Sequence, residues 1–307
     1  MPPKRDEKAW EKINRDLQQA QSRISLSSGG LPNEAVRRLN DILADKRAPF
    51  SANFTVNEFL ATKSTGYLPV AQVSGSSIYH LGWQTLPYFS SGELEVITKA
   101  QSALRMSAVS RIQQEARLLK ADGVIGVKRH QHEYDWGTGL MQYTLVGTAI
   151  RLPGSTINPH PFVSTLDGQE FWSLYSAGFY PAGYAYGNSA FYQIATATTR
   201  SAMGEEQEYE GGPISTKWFN QEIEDFTDAI NMARSLAEMR LQTDISDLQA
   251  TGVIGLTFDR KIRYHERTVI GKPKGTDMSV SIELTGTAVV KREDRKVPQI
   301  DYRVWLS

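Results

Sequence analysis

The stretch "ADGVIGVKR" at 121–129 returns 129 residues later as "ATGVIGLTF" at 250–258, with five of the first seven residues identical. An internal repeat decides a fold, so the chain is aligned with itself before anything else. Upstream at the same shift, Ile97, Ala100, Leu104, Ala108, Ile112, Ala116 and Leu119 fall on Phe226, Ala229, Ala233, Ala237, Leu241, Ile245 and Leu248. Steps of three and four predict one apolar face of a long helix in each copy, over about 93–120 and 221–249. Ser91 and Asn220 are the expected N-caps.

Farther upstream the shift is 112: Phe50 meets Phe162, Glu58 meets Glu170, Gly66 meets Gly178, Pro69 meets Pro181 and Gly75 meets Gly187. The change of shift puts 17 extra residues into the second copy, within 194–218. Downstream the shift becomes 139, and "LVGTAIR" at 145–151 meets "LTGTAVV" at 284–290. Each copy reads as strand, helix, strand, strand. The first strands are 67–79 and 179–192, with extended segments near 53–62 and 165–175 expected beside them. Hairpins close both copies, over 123–152 and from 252 onward, with alternation at Met141, Tyr143, Leu145 and at Val280, Ile282, Leu284.

The glycines then acquire structural roles. Gly123 and Gly252 are expected in the left-handed conformation that ends a helix. Gly126 and Gly255 would allow close approach by the helix, a facing strand or a neighbouring subunit. Gly147 and Gly286, in the matching Gly-Thr-Ala runs, complete the set of structural turn glycines. Helix-then-strand order and G-x-x-G spacing do not fit a phosphate-binding loop.

The long helix, "ADGVIG" or "ATGVIG", the hairpin and the closing "GTAI" or "GTAV" together resemble the YbjQ-like family, small bacterial proteins labelled heavy-metal-binding. The second copy departs from the pattern at Thr251, where the first has Asp122. The resemblance implies an α+β fold: a tandem of β-α-β-β, dodecin-like units at 50–152 and 162–292. It also implies assembly into closed rings, pentamers by preference, hence five chains carrying ten units. Two stacked rings are expected; alternation of the copies round a single ring is the other arrangement.

Residues 1–49 read as a helical extension, with Trp10, Ile13, Leu17 and Ile24 on one helix and Val36, Leu39 and Leu43 on a second. They form a hairpin docked on the first unit, an arm exchanged between subunits, or a membrane-surface helix. The last is disfavoured because acids match the bases there. The C-terminal tail, 293–307, reads as a strand that pairs with a neighbour or binds a partner.

Composition sets limits. With no cysteine there are no disulfides and no thiolate metal sites. Lys+Arg and Asp+Glu are both 34, so no global basic field draws nucleic acid. The N-terminus lacks a signal-peptide h-region and no apolar run reaches the ~20 residues of a membrane span, so a cytoplasmic location is expected.

For chemistry, His130 and His132 alternate on a strand and form the one candidate metal pair, needing a third ligand from a neighbour. The second copy has Asp259 and Lys261 there. No G-x-S-x-G elbow is present. Acid pairs such as Glu93/Glu95 and Glu222/Glu224 suit helix starts. Tyr180, Tyr184, Tyr186 and Tyr192 share one strand face if no bulge intervenes, with Phe179 and Phe191 opposite. That pattern suits a subunit interface plus core, or a stacking platform. The sequence thus predicts a non-enzymatic, self-assembling structural protein with no cofactor, a building block of a shell-like assembly. The alternative is a metal- or small-ligand sensor built on the hairpin histidines.

Overall fold

The structure is a computed structural model. It describes residues 4–44, 51–81, 90–133, 139–152, 154, 159–205, 219–267 and 275–291, with backbone alone for 4–11, 61, 63–65 and 132–133. The fold is α+β. In chain order come α1 (Lys4–Ser27), α2 (Asn33–Ala44), α3 (Val56–Thr65), β1 (Leu68–His80), β2 (Gly92–Glu93), α4 (Glu95–Leu118), β3 (Gly123–Glu133) and β4 (Leu140–Arg151). The second half follows with β5 (Phe162–Val163), α5 (Gly168–Ser176), β6 (Phe179–Gln193), α6 (Ala197–Met203), α7 (Glu224–Asp247), β7 (Gly252–Arg267) and β8 (Gly275–Lys291).

Two four-stranded sheets form, in the orders β1-β4-β3-β5 and β2-β6-β8-β7. Each has three antiparallel strands from one half and a short fourth strand lent by the other. β5 joins β3 in parallel, and β2 joins β6 antiparallel. The halves match even in their irregularities. β1 shifts register between Pro69 and Ala71 and β6 between Pro181 and Gly183; β3 shifts between Ile125 and Lys128 and β7 between Ile254 and Thr257.

A helix lies across each sheet because a glycine lets it. A Cβ on Gly75 would overlap the Ala108 carbonyl oxygen and stand 2.7 Å from the Ile112 nitrogen. On Gly187 it would overlap the Ala237 carbonyl oxygen and stand 2.7 Å from the Leu241 nitrogen. The expected stripe is buried on α4 at Ile97, Leu104, Ala108, Ile112 and Ala116, and on α7 at Phe226, Ala229, Ala233, Ala237 and Leu241.

Four local expectations are corrected. The segments expected to be extended before the first strands are the helices α3 and α5. Each is started by a capping box: Thr55 with Glu58, and Asp167 with Glu170, where the Asp167 carboxylate accepts from the Gln169 and Glu170 amides at 2.8 Å. Ser91 and Asn220 are not N-caps; α4 and α7 begin after Leu94 and Ile223, neither with a side-chain cap. The left-handed residues after the long helices are Lys120 (φ 54°) and Gln249 (φ 52°), not Gly123 and Gly252. Gly126 (φ 61°) and Gly255 (φ 60°) are the left-handed glycines, and they sit in the bulges of β3 and β7. Gly147 and Gly286 are not turn residues either. They lie inside β4 and β8, where a Cβ would press on Val124 and Val127, and on Val253.

In the N-terminal extension α2 and the turn before it dock: Leu31 and Leu39 are buried, Gln114 Nε2 of α4 donates to the Gly29 carbonyl at 2.9 Å, and Arg38 donates to both Glu115 oxygens of α4 at 2.9 and 2.7 Å. The α1 stripe faces outward, with Ile13, Leu17 and Ile24 at 50, 56 and 71% exposure. The Trp10 side chain, residues 206–218 of the insertion and the 293–307 tail lie outside the described residues. Among those described, no helix is long and apolar enough to cross a membrane.

Candidate assembly interface

The feature that distinguishes the two halves is what covers them. β6 is buried on both faces. Ala185 packs under α7, whereas Tyr184 and Tyr186 project into the core of the first half beside Leu104, Ala108, Tyr143 and Leu145. Helix α4 is therefore held between two sheets, its own and that of the second half. Its second face, Thr98, Gln101 and Arg105, is buried and polar.

That seam is hydrogen-bonded side chain by side chain. Asn188 Nδ2 donates to the Thr98 carbonyl and to Gln101 Oε1, both at 3.0 Å, and Ser102 Oγ donates to Asn188 Oδ1 at 2.8 Å. Gln101 Nε2 donates to Ser281 Oγ at 2.9 Å. The Arg105 guanidinium lies 4.3 Å from the Tyr186 ring centroid and 3.8 Å from Asp244. Buried polar groups need partners, and here each half supplies most of them to the other, although Arg105 Nε and the Tyr186 hydroxyl are buried without a hydrogen-bond partner among the described residues.

Charge reinforces the match. Arg129 of β3 donates to Glu283 of β8 at 2.9 Å and to Asp259 of β7, and Gln131 Nε2 donates to the other Glu283 oxygen at 3.0 Å. Burial, the largest single influence, would lower the Arg129 pKa; Glu283 first, then Tyr143, Tyr184 and Asp259, together outweigh it and raise the guanidinium above its ordinary value. At the far end Arg240 of α7 grips Glu93 of β2 through two bonds, 2.6 and 2.9 Å. The hydroxyls of Tyr143 and Tyr184 meet at 2.8 Å between the halves. Burial pushes Tyr143 and Tyr186 well above the ordinary phenol value and raises Tyr184, so all three are neutral spacers rather than proton shuttles.

A third cluster ties the ends of the halves. Phe162 stacks on Phe171 at 5.7 Å and meets Tyr180 edge-on at 5.0 Å; Tyr67 meets Phe171 edge-on at 5.8 Å. Tyr67 donates to the Gly168 carbonyl at 3.3 Å and its pKa is pushed up to about 12, by burial first and by Glu58 second. The bulge between Pro181 and Gly183 breaks the expected face: Tyr180 joins this cluster, apart from Tyr184 and Tyr186.

The His132 side chain lies outside the described residues. His130 is exposed on β3 opposite Thr144, and His132 lies two positions on, opposite Gln142. His80 and His160 are exposed, and His265 bonds Ser279 Oγ at 2.7 Å. Among the described residues no group of three or more His, Cys, Asp or Glu is arranged to hold a metal ion. The residues that sequence reasoning missed are the coupling ones: Glu93, which serves Arg240 as well as a helix start, and Gln101, Arg105, Arg129, Asn188 and Glu283. Their one signal is polar residues on positions that the helical or strand period turns toward a second packed surface.

Residues 53–153 match the model of the YbjQ family, whose description reads "Putative heavy-metal-binding". The chain is 32% identical over 223 residues to the encapsulin nanocompartment protein Rv1762c of Mycobacterium tuberculosis, a match covering 70% of this chain and 80% of that protein. No solved structure matches significantly. With the segment order, the bulge glycines and these two matches in agreement, the chain belongs to the YbjQ-like family.

Proposed function

We propose that the protein is a self-assembling structural component, built from two copies of one unit, whose chains close into a homo-oligomeric ring within a larger shell-like assembly. The observation that carries this reading is the unequal cover of equivalent surfaces. On α4, Thr98, Gln101 and Arg105 are buried under the second sheet; at the matching positions of α7, Thr227 and Arg234 are exposed and Ile230 is half-covered. On β6, Tyr184, Tyr186 and Asn188 are buried against α4; at the matching positions of β1, Gln72 and Ser76 are exposed and Ser74 is half-covered. One chain therefore contains one complete seam and, at its two ends, the two unmatched halves of another.

Such a seam is head-to-tail, and head-to-tail contacts close into rings when the rotation allows. The side-by-side contact of the halves supports copies alternating round a single ring rather than two stacked rings. Five chains, the stoichiometry the family resemblance implies, then give ten units. The relative's name, an encapsulin nanocompartment protein, supports placement in a larger assembly. Native mass spectrometry of the full chain tests the reading: a whole-number multiple of 34.3 kDa, five by preference, is expected, and a stable single chain overturns it.

A further inference from the structure

The seam inside the chain is sealed by strand exchange, and among the described residues the outer edge of β7 lacks the strand that β3 receives. Along β3, the segment 162–166 pairs in parallel. Phe162 N donates to Asp122 O at 3.2 Å, Ser164 N to Val124 O at 2.9 Å, Gly126 N to Leu166 O at 2.7 Å and Val127 N to Ser164 O at 3.1 Å. Under that cover Val124 and Ile125 are fully buried. On β7, the outermost strand of its sheet among the described residues, Val253 and Ile254 are only half-buried, while Leu256 and Phe258 are 50 and 49% exposed. An exposed apolar edge of this kind is a template for another strand.

A second observation specifies the strand. A Cβ on Gly123 would collide with the Phe162 ring, so this glycine makes room for an aromatic side chain. Gly252 occupies the matching place on β7, and a Cβ built there meets nothing within 4 Å. Its φ is outside the left-handed region, so Gly252 has no conformational duty either. The glycine leaves room for a ring that no described residue of this chain places on it. In the repeat the counterpart of Phe162 is Phe50, followed by Ser51, Ala52, Asn53 and Phe54 in place of Val163, Ser164, Thr165 and Leu166.

We propose that β7 is completed by residues 50–54 of a second copy of this chain, with Phe50 seated over Gly252 and Ser51 beside Val253. This rests on the ring reading and names the contact that closes it. Within the donor segment, Asn53 is held much as its counterpart Thr165 is. Asn53 bonds Thr148 and, through Nδ2, the Gly126 carbonyl at 2.8 Å, just as the Thr165 amide donates to Thr287 Oγ1 at 2.9 Å while its neighbours pair with β3. Main-chain bonding supplies the affinity and the aromatic ring supplies the register.

The test uses the full chain. Gly252→Leu fills the open space without strain in a single chain and blocks the incoming ring. Native mass spectrometry is expected to show assembled wild type and single-chain Gly252→Leu, with unchanged circular dichroism; Phe50→Ala shifts the same way. The chain has no cysteine, so Ser51→Cys with Val253→Cys gives a clean cross-link. Paired strands bring these residues within disulfide reach, and oxidation is expected to yield a ladder of linked chains from the double variant and none from either single one. A wild type that assembles while Gly252→Leu assembles to the same mass, or while the double variant forms no ladder, overturns this contact and leaves the ring standing. A single-chain wild type overturns the ring and this contact together.

Discussion

Gly75 and Gly187 show most plainly how single residues set the architecture, because each removes the one side chain that would keep a helix off its sheet. Gly75→Ala or Gly187→Ala forces a Cβ into helix backbone, which cannot yield as a side-chain tip can. Overpacking of this kind costs about 1–3 kcal/mol, and either variant is expected to lower the midpoint of chemical denaturation accordingly. The Arg129–Glu283 pair makes a second residue-scale prediction. Glu283→Leu alone strands a largely buried guanidinium, with only the half-exposed Asp259 left to pair it, and costs up to about 3–5 kcal/mol. Arg129→Met combined with Glu283→Leu is expected to cost less than Glu283→Leu alone in the same denaturation experiment. His265 gives the pH dependence. Burial first and Arg263 second lower its pKa from 6.5, so the folded chain holds the neutral ring. The unfolded chain then takes up the proton more readily, and stability falls as pH drops below 6.5. His265→Gln is expected to flatten that part of a melting-temperature profile.

Helices and strands differ in how openly the sequence announces them. The α4 and α7 stripes, the hairpins and the repeat were legible because each has a simple period and two copies to compare. α3 and α5 were read as extended, although Thr55-x-x-Glu58 and Asp167-x-x-Glu170 are capping boxes in plain sight; the short, weakly periodic segments after them hid the helix. Asp167→Ala is expected to cost about 1 kcal/mol, measurable as a lower melting temperature. The glycines were legible as structural but not in their duties. A left-handed residue is needed two positions after each long helix, and Lys120 and Gln249 fill it, which no propensity rule singles out. The coupling residues were illegible for a different reason: Gln101, Arg105 and Asn188 look like ordinary surface polarity until a second surface is brought against them.

At the scale of the molecule, the described residues of one chain contain a polar seam in its middle and uncovered counterparts at its ends. The α7 face and the β7 edge lie on the second half; the exposed face of β1 lies on the first. Complementary ends on one chain, rather than a self-complementary patch, are what the ring proposed above requires. Zero net charge from balanced acids and bases leaves little long-range repulsion to oppose such packing. Image averages of the purified assembly in the electron microscope test this account most directly. The account predicts a single-layer ring with twice as many units as its rotational order, ten units for five-fold symmetry; isolated single chains, or two stacked layers each built from one half, would contradict it.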